Sequence, residues 1–356
     1  RVEILKMLYR KADILIFDEP TAMLAPQEIE HLIDVIHELR RYGKTVILIT
    51  HKLDEIKRLA DRCAVLRRGR LIDIFDVATT DTAHMATTMV GHTIDYRLEK
   101  DTQPFGEPIL QVESLTVSRN TGITAVHEVS FTVRSGEVLA LAGVSGNGQI
   151  EIVQAIYGQI KVASGRILLG GIDITDHSIR SRIRDGISYV PEDRQRTGLI
   201  VDMSLSENVA LKTYGQEPFS RRRILNRDAF HSHARALIEA YDIRSGSGET
   251  TIVRSMSGGN QQKAIVAREI DLGNKLIVFV QPTRGLDIAA RAHIHRQILE
   301  ERAKGHAILL VSLELEEIME LADTIGVLYN GVLRKIAPAD QMTIEEVGRL
   351  MLGVEA

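Results

Sequence analysis

Asp18 and Glu19 form a carboxylate pair directly after the apolar run Ile14-Leu15-Ile16-Phe17, and Pro20-Thr21 follows them. A second apolar run ends in Leu48-Ile49-Thr50-His51. A strand that ends in adjacent acids can hold a metal ion with one carboxylate and polarise an attacking water with the other. A histidine at the end of the next strand can contact a phosphate oxygen and report its presence. Asp18 is therefore the candidate Mg²⁺ residue, acting through water, and Glu19 and His51 are the candidate catalytic residues. An Asp-Glu pair alone is a weak signal, usually a solvated loop. The apolar strand before it, the Pro-Thr after it and the histidine that follows carry the inference.

The pattern returns later with those residues replaced: Ile277-Val278-Phe279-Val280-Gln281-Pro282-Thr283, then Leu310-Val311-Ser312-Leu313. Pro20 and Pro282 (282 − 20) and His51 and Leu313 (313 − 51) are each 262 residues apart, and so are Asp61 and Asp323, and Gly69 and Gly331. A repeat of this length is a duplicated domain, not a solenoid unit. Val280, Gln281 and Leu313 cannot do the phosphate chemistry open to two carboxylates and a histidine.

Gly143-Val144-Ser145-Gly146-Asn147-Gly148-Gln149-Ile150 follows an apolar strand and precedes a helix, the setting of a phosphate-binding loop of the form G-x-x-x-x-G-K-[ST]. Its glycines, Gly143, Gly146 and Gly148, let backbone N–H groups face phosphates, helped by the helix N-terminus. Gln149 stands in the lysine position and cannot neutralise phosphate charge; Ile150 stands in the hydroxyl position and cannot hold Mg²⁺. The stretch reads as a relic nucleotide site that binds without hydrolysing, against the plainer alternative of a tight strand-to-helix turn. Gly43-Lys44-Thr45 is a decoy, because it lies after a helix and before a strand. Ser257-Gly258-Gly259-Asn260-Gln261-Gln262 is the most specific motif, presenting a hydroxyl and N–H donors at a helix start.

The elements that must place these groups alternate between strand and helix. Arg1–Tyr9 reads as helix, Asp13–Phe17 as a buried strand, Pro26 to about Arg41 as helix, Thr45–Ile49 as strand and Leu53–Ala60 as a short helix. A strand near Cys63–Leu66 then turns at Arg68-Gly69. Such alternation argues a parallel sheet with its chemistry at the strands' C-terminal ends. Asp95–Pro108, with Pro104, Gly106 and Pro108, reads as a linker. Ile109–Val117 and Val126–Val133 are β-rich, Val138–Ala142 is a buried strand, and Arg180 to about Tyr241 is helical and charged, as an inserted subdomain would be. The expected organisation is 1–94, the C-terminal part of a first domain; 95–108, a linker; and 109–356, a second domain with a helical subdomain over about 180–262.

The bulk properties fit two α/β domains with sizeable cores. The 356 residues are 44% hydrophobic and 26% charged, and the net charge of −4 gives no basic footprint for nucleic acid. The single cysteine, Cys63, excludes an internal disulfide framework and is expected in the core. No apolar run reaches the roughly 18 residues of a membrane span. The second unit starts near Pro108, so the first is expected near 108 − 262 = −154, which leaves roughly 150 of its residues before Arg1.

At Ser257 to Lys263, S-G-G-N-Q-Q-K, the chain resembles the ATP-binding subunits of ABC importers, in the class with two fused nucleotide-binding domains. Gln281-Pro282-Thr283-Arg284-Gly285-Leu286-Asp287 is similar to that class's second-domain Walker B and D-loop. Val190-Pro191-Glu192-Asp193-Arg194, with Gly198-Leu199 and Ser204-Leu205-Ser206-Glu207-Asn208, is similar to its Q-loop region, though Pro191 and Glu192 stand where a glutamine is expected. The resemblance covers essentially the whole chain. It implies P-loop NTPase domains of the ABC ATPase type, one partial and one complete, each a mixed sheet flanked by helices, with a helical subdomain in the second. It also implies a head-to-tail pairing in which Asp18, Glu19 and His51 work with Ser257, Gly258, Gly259, Asn260 and Gln261 and a first-domain Walker A; that Walker A, and the first signature, would precede Arg1. The other site would use Gly143–Ile150 with Gln281 and be non-hydrolytic. Asp287 would be the D-loop aspartate, its counterpart being Ala25. The implied cofactors are ATP and Mg²⁺, and the implied partners are transmembrane permease subunits and an extracytoplasmic substrate-binding protein. The implied place is the cytoplasmic face of the membrane, reached through the permease. Val280-Gln281-Pro282, in place of Asp-Glu-Pro, is closer to the nucleoside branch, whose binding proteins are of the basic-membrane-protein type, than to the simple-sugar branch. A sugar importer, and a soluble paired ATPase acting on ribosomes or DNA, are the alternatives. Without a lysine-bearing loop, the chain by itself is expected not to hydrolyse ATP.

Overall fold

The computed structural model of the chain describes residues 12–21, 26–50, 52–67, 69–90, 100, 103–119 and 121–354. The expected helix Arg1–Tyr9, most of the expected linker, Ala25 and His51 lie outside the described residues. The chain divides into two compact units, residues 1–97 with 287–289 and residues 98–286 with 290–356.

In the first unit β1 (Ile14–Asp18) leads to α1 (Pro26–Arg41), β2 (Thr45–Ile49), α2 (Leu53–Leu59), β3 (Arg62–Arg67), β4 (Arg70–Asp76) and α3 (Thr82–Val90). β1 and β2 are parallel, with Asp18 opposite Ile49, as a strand-helix-strand crossover dictates. The strand period of two turns Leu15 and Phe17 into a cluster with Leu39 of α1 and leaves Ile14 and Ile16 exposed. Lys44, in the decoy Gly43-Lys44-Thr45, pairs with Asp13 at 2.7 Å. Cys63 is half-buried against Ile56, Val77 and Met85, not fully in the core as expected, because β3 lies in a two-stranded ribbon with little above it.

From Pro108 onward the order is β5 (Pro108–Ser118), β6 (Thr124–Arg134), β7 (Val138–Ala142), α4 (Gln149–Tyr157), β8 (Val162–Leu169), β9 (Ile172–Asp173), α5 (Ile179–Asp185) and β10 (Ile187–Val190). Then come α6 (Leu205–Val209), β11 (Ser220–Arg221), β12 (Ile224–Leu225), α7 (Arg227–Ala240) and α8 (Gly258–Asp271). The chain continues as β13 (Leu276–Val280), α9 (Ile288–Ala303), β14 (Ala307–Ser312), α10 (Leu315–Leu321), β15 (Thr324–Tyr329), β16 (Val332–Pro338) and α11 (Ile344–Met351). A six-stranded sheet runs β10-β13-β14-β7-β15-β16, parallel except for β16. A four-stranded antiparallel sheet runs β6-β5-β8-β9.

β7, β13 and β14 are buried along their whole length, the mark of a central parallel strand covered on both faces. Leu139, Leu141, Val278 and Leu309 pack toward α4 and the antiparallel sheet, while Val138, Ala140, Ile277 and Leu310 pack toward α8, α9 and α10. Within the span expected as a helical subdomain, about 180–262, Ile187–Val190 is a strand of the main sheet, with Ile187 and Val190 wholly buried.

The 262-residue repeat is a repeat of structure. Ile14–Asp18 corresponds to Leu276–Val280 (276 − 14), Pro26–Arg41 to Ile288–Ala303 (288 − 26), Leu53–Leu59 to Leu315–Leu321 (315 − 53) and Arg70–Asp76 to Val332–Pro338 (332 − 70). The bulge between Val65 and Leu66 recurs between Val327 and Leu328. The described residues of the first unit form two two-stranded sheets, β1-β2 parallel and β3-β4 antiparallel. In the later copy β7 lies between β14 and β15 and joins the two halves, and the described residues of the first unit hold no strand in that position.

Candidate functional site

Asp18 is the last residue of β1, and Glu19 begins a turn with φ +43°, its N–H bonded to the carbonyl of Ile49 at 2.9 Å. A left-handed backbone is costly for a side chain without special solvation, and here it turns the chain sharply at the sheet's C-terminal edge. Both carboxylates are exposed. Beneath them Thr21 donates to the buried carboxylate of Glu55, which also accepts from Thr50 at 2.9 Å. Glu55 thus ties the turn after β1 to the end of β2, where His51 follows.

The counterpart is built the same way. Gln281 has φ +46° and its N–H meets the carbonyl of Val311 at 2.7 Å. Thr283 donates to the buried Glu317 at 2.6 Å, and His295 reaches the same carboxylate at 2.9 Å and Glu320 at 3.3 Å. Burial opposes charge on both groups. It is the largest single influence, but the hydrogen bonds and charges of their partners together outweigh it, so the Glu317 carboxyl is held below, and the His295 imidazole above, the ordinary range. Glu55 and Glu317 were not singled out from sequence. The signal was there, since each lies 34 residues after the threonine it accepts from.

The strand order brings several candidates to one edge. Gln281, Leu313 and Gly143 follow the C-terminal ends of β13, β14 and β7, which are adjacent. Gly143 (φ +159°) and Gly148 (φ +105°) are required: a Cβ would come within 2.8 Å of the carbonyl of Leu328 at the first and of Ala125 at the second. Ser145 and Gly146 are exposed at the tip. Asn147 faces inward, donating to the carbonyl of Leu328 at 3.3 Å and accepting from the N–H of Asn330 at 3.1 Å. Gln149 is buried, with its carboxamide folded back toward the carbonyl of Val144 at 3.5 Å. The loop is braced by Asn147, holds no Lys or Arg of its own over residues 143–150, and accepts a hydrogen bond from Arg119 at the Gly146 carbonyl, 3.2 Å.

Ser257 is the N-cap of α8 and is exposed. Asn260 donates to the Ser257 hydroxyl at 2.8 Å and accepts from the N–H of Arg244 at 2.8 Å. Gln261 is buried and donates to the carbonyl of Val253 at 3.0 Å. Asn260 and Gln261 therefore shape the helix start, where Ser257, Gly258 and Gly259 lie. Asp287 lies exposed just before α9. Among the described residues no cluster of three or more His, Cys, Asp or Glu forms a ready metal cage, and no helix is long and apolar enough to cross a membrane.

Residues 126–284 match the ABC transporter family. The chain is 45% identical over 353 residues to a nucleoside import ATP-binding protein of Lactococcus lactis, covering 99% of this chain and 70% of that protein. It is 43% identical to a guanosine import ATP-binding protein of Bacillus subtilis (99% and 69% covered) and 32% identical to a ribose import ATP-binding protein of the same species (99% and 70%). A nucleotide-free ATP-binding cassette from an ABC transporter superposes with TM-score 0.56 at 22% identity, covering 65% of this chain and 92% of that one. With the edge of turns and loops described above, these similarities identify an α/β ABC ATPase fold, and the chain belongs to the ABC transporter ATP-binding family, among its import proteins.

Proposed function

We propose that the chain is part of the energy-coupling ATPase subunit of an uptake transporter for nucleosides, with two fused nucleotide-binding domains, one hydrolytic and one degenerate. The observation that carries this reading is a single backbone turn used twice, with Asp18-Glu19 on one copy and Val280-Gln281 on the other. ATP supplies the free energy when water displaces ADP from its γ-phosphate. In the hydrolytic set Asp18 would hold Mg²⁺, which would neutralise phosphate charge, while Glu19 would orient the attacking water and His51 would contact the γ-phosphate. Ser257, Gly258 and Gly259 bind phosphate through a hydroxyl and N–H donors. Exposed carboxylates suit Mg²⁺ in their donor chemistry. The Gly143–Gln149 loop fits phosphate by its backbone, while Gln149 and Ile150 supply neither the cation nor the metal ligand, so this set binds ATP without turning it over.

The permease and an extracytoplasmic binding protein are the proposed partners, which places the subunit peripherally on the cytoplasmic face of the membrane. Nucleosides are favoured over sugars because the nucleoside and guanosine import relatives are 45% and 43% identical, against 40% for a glucose import relative of Haloferax volcanii and 32% for the ribose import relative of Bacillus subtilis. The deciding experiment is uptake of labelled nucleosides and of ribose by cells with and without the full-length subunit. Loss of nucleoside uptake alone supports the proposal; loss of ribose uptake alone moves the protein to the sugar importers.

A further inference from the structure

Asp193 closes the segment after β10 into a π-helical turn, Arg194–Gly198. Its carboxylate accepts from the N–H groups of Gln195 at 3.0 Å and Arg196 at 2.9 Å, and its carbonyl from that of Gly198 at 3.0 Å. The turn sits hard on α8, since a Cβ on Gly198 would fall 2.6 Å from Ile265 Cδ1. So seated, it presents two side chains to the start of α8. Gln195 Nε2 donates to Gln261 Oε1 at 3.3 Å. Arg194 Nη1 donates to the carbonyl of Gly258 at 3.3 Å and Nη2 to the carbonyl of Arg284 at 3.4 Å. Arg284 is itself paired with Glu192. The first residue of α8 and the loop after Gln281 thus end on one guanidinium. A planar fork can hold two carbonyls at a set spacing, and an ammonium on a flexible stem cannot.

We infer that Arg194 is a positioning residue for the phosphate-binding end of α8, fixing the spacing between Gly258 and Arg284 and so the place of the Ser257–Gly259 donors. This rests on the reading of Ser257–Gly259 as phosphate ligands. It adds a link between the segment that follows β10 and the ATP-contacting helix that neither motif shows by itself.

The test uses the full-length transporter in membrane vesicles, with ATP turnover measured against ATP concentration for Arg194→Met, Arg194→Lys and Ser257→Glu. Glutamate at a helix start is favourable for the helix, yet it sets a negative charge where phosphate would lie. Arg194→Met is expected to raise the KM for ATP about tenfold, the scale of one lost charge-assisted hydrogen bond, with the melting temperature held. Arg194→Lys is expected not to rescue it. A wild-type KM in Arg194→Lys would overturn the inference, because charge without the fork would then suffice. An unchanged KM in Arg194→Met, whatever its melting temperature, would overturn it too, provided Ser257→Glu abolishes turnover. Normal turnover in Ser257→Glu would instead remove the phosphate reading on which the inference stands.

Discussion

A carboxylate and a carboxamide differ by one charge and by what they can accept, and Glu19 and Gln281 present that difference on the same left-handed turn. Glu19→Gln in the full-length transporter is expected to lower ATP turnover by at least ~10², the scale of losing a general base, while Gln281→Ala leaves most of it. Steady-state turnover in vesicles checks both, and normal turnover in Glu19→Gln would refute the catalytic assignment. Asp18 and Glu19 were legible because polar residues at the end of an apolar strand stand out by contrast. The buried His295 was not, since nothing local shows that it faces Glu317 and Glu320 across a helix pair. It carries its own prediction. A histidine whose folded pKa is raised stabilises the fold fully below its unfolded value near 6.5, and that contribution is lost as pH rises through the folded pKa. The urea midpoint should therefore fall over that upper window, and His295→Gln should flatten the profile. An identical pH profile in wild type and variant would show that folding does not shift the His295 pKa.

At the level of elements, the helix behind the glycine loop is held from its far end. Arg182 is buried in α5 and donates to the carbonyls of Ala155 at 2.6 Å, Ile156 at 2.7 Å, Thr175 at 2.6 Å and His177 at 2.9 Å. Two of those carbonyls belong to the last turn of α4, where orphan acceptors and the negative helix end favour a cation. Arg182→Met would leave buried carbonyls without donors and should cost about 2–4 kcal/mol. Denaturant unfolding of the second unit's transition is the measurement, and a loss below about 1 kcal/mol would mean that water replaces the guanidinium. The strands of this layer could be read from sequence because both faces are covered and the apolar runs are unbroken. One strand of the main sheet could not. Ile187-Ser188-Tyr189-Val190 is short and follows charged helix, so only its pairing with β13 marks it as sheet.

The repeat organises the whole molecule, and it shows how far the second set of site residues has drifted. The 262-residue spacing was visible in a few anchor residues, and the structure extends it to helices, strands and a bulge. The reason is that buried strands and turn residues tolerate little exchange of type, whereas an unused site is free to change. Five positions in the later copy depart from the pattern proposed for a hydrolytic set: Gln149 and Ile150 in the glycine loop, Val280 and Gln281 where the earlier copy has Asp18 and Glu19, and Leu313 where it has His51. Val280 is buried in the sheet core, unlike its exposed counterpart Asp18, so the local packing has followed the loss. Groups that act as a unit in catalysis are not additive, and restoring one of them restores little. Full-length transporter carrying Glu19→Gln isolates the degenerate set, and adding Gln281→Glu to it should leave turnover within about twofold of Glu19→Gln alone. Recovery of turnover in the double variant would mean that the glycine loop positions ATP and its metal without lysine, hydroxyl or aspartate, and that Gln281 alone keeps the second set silent.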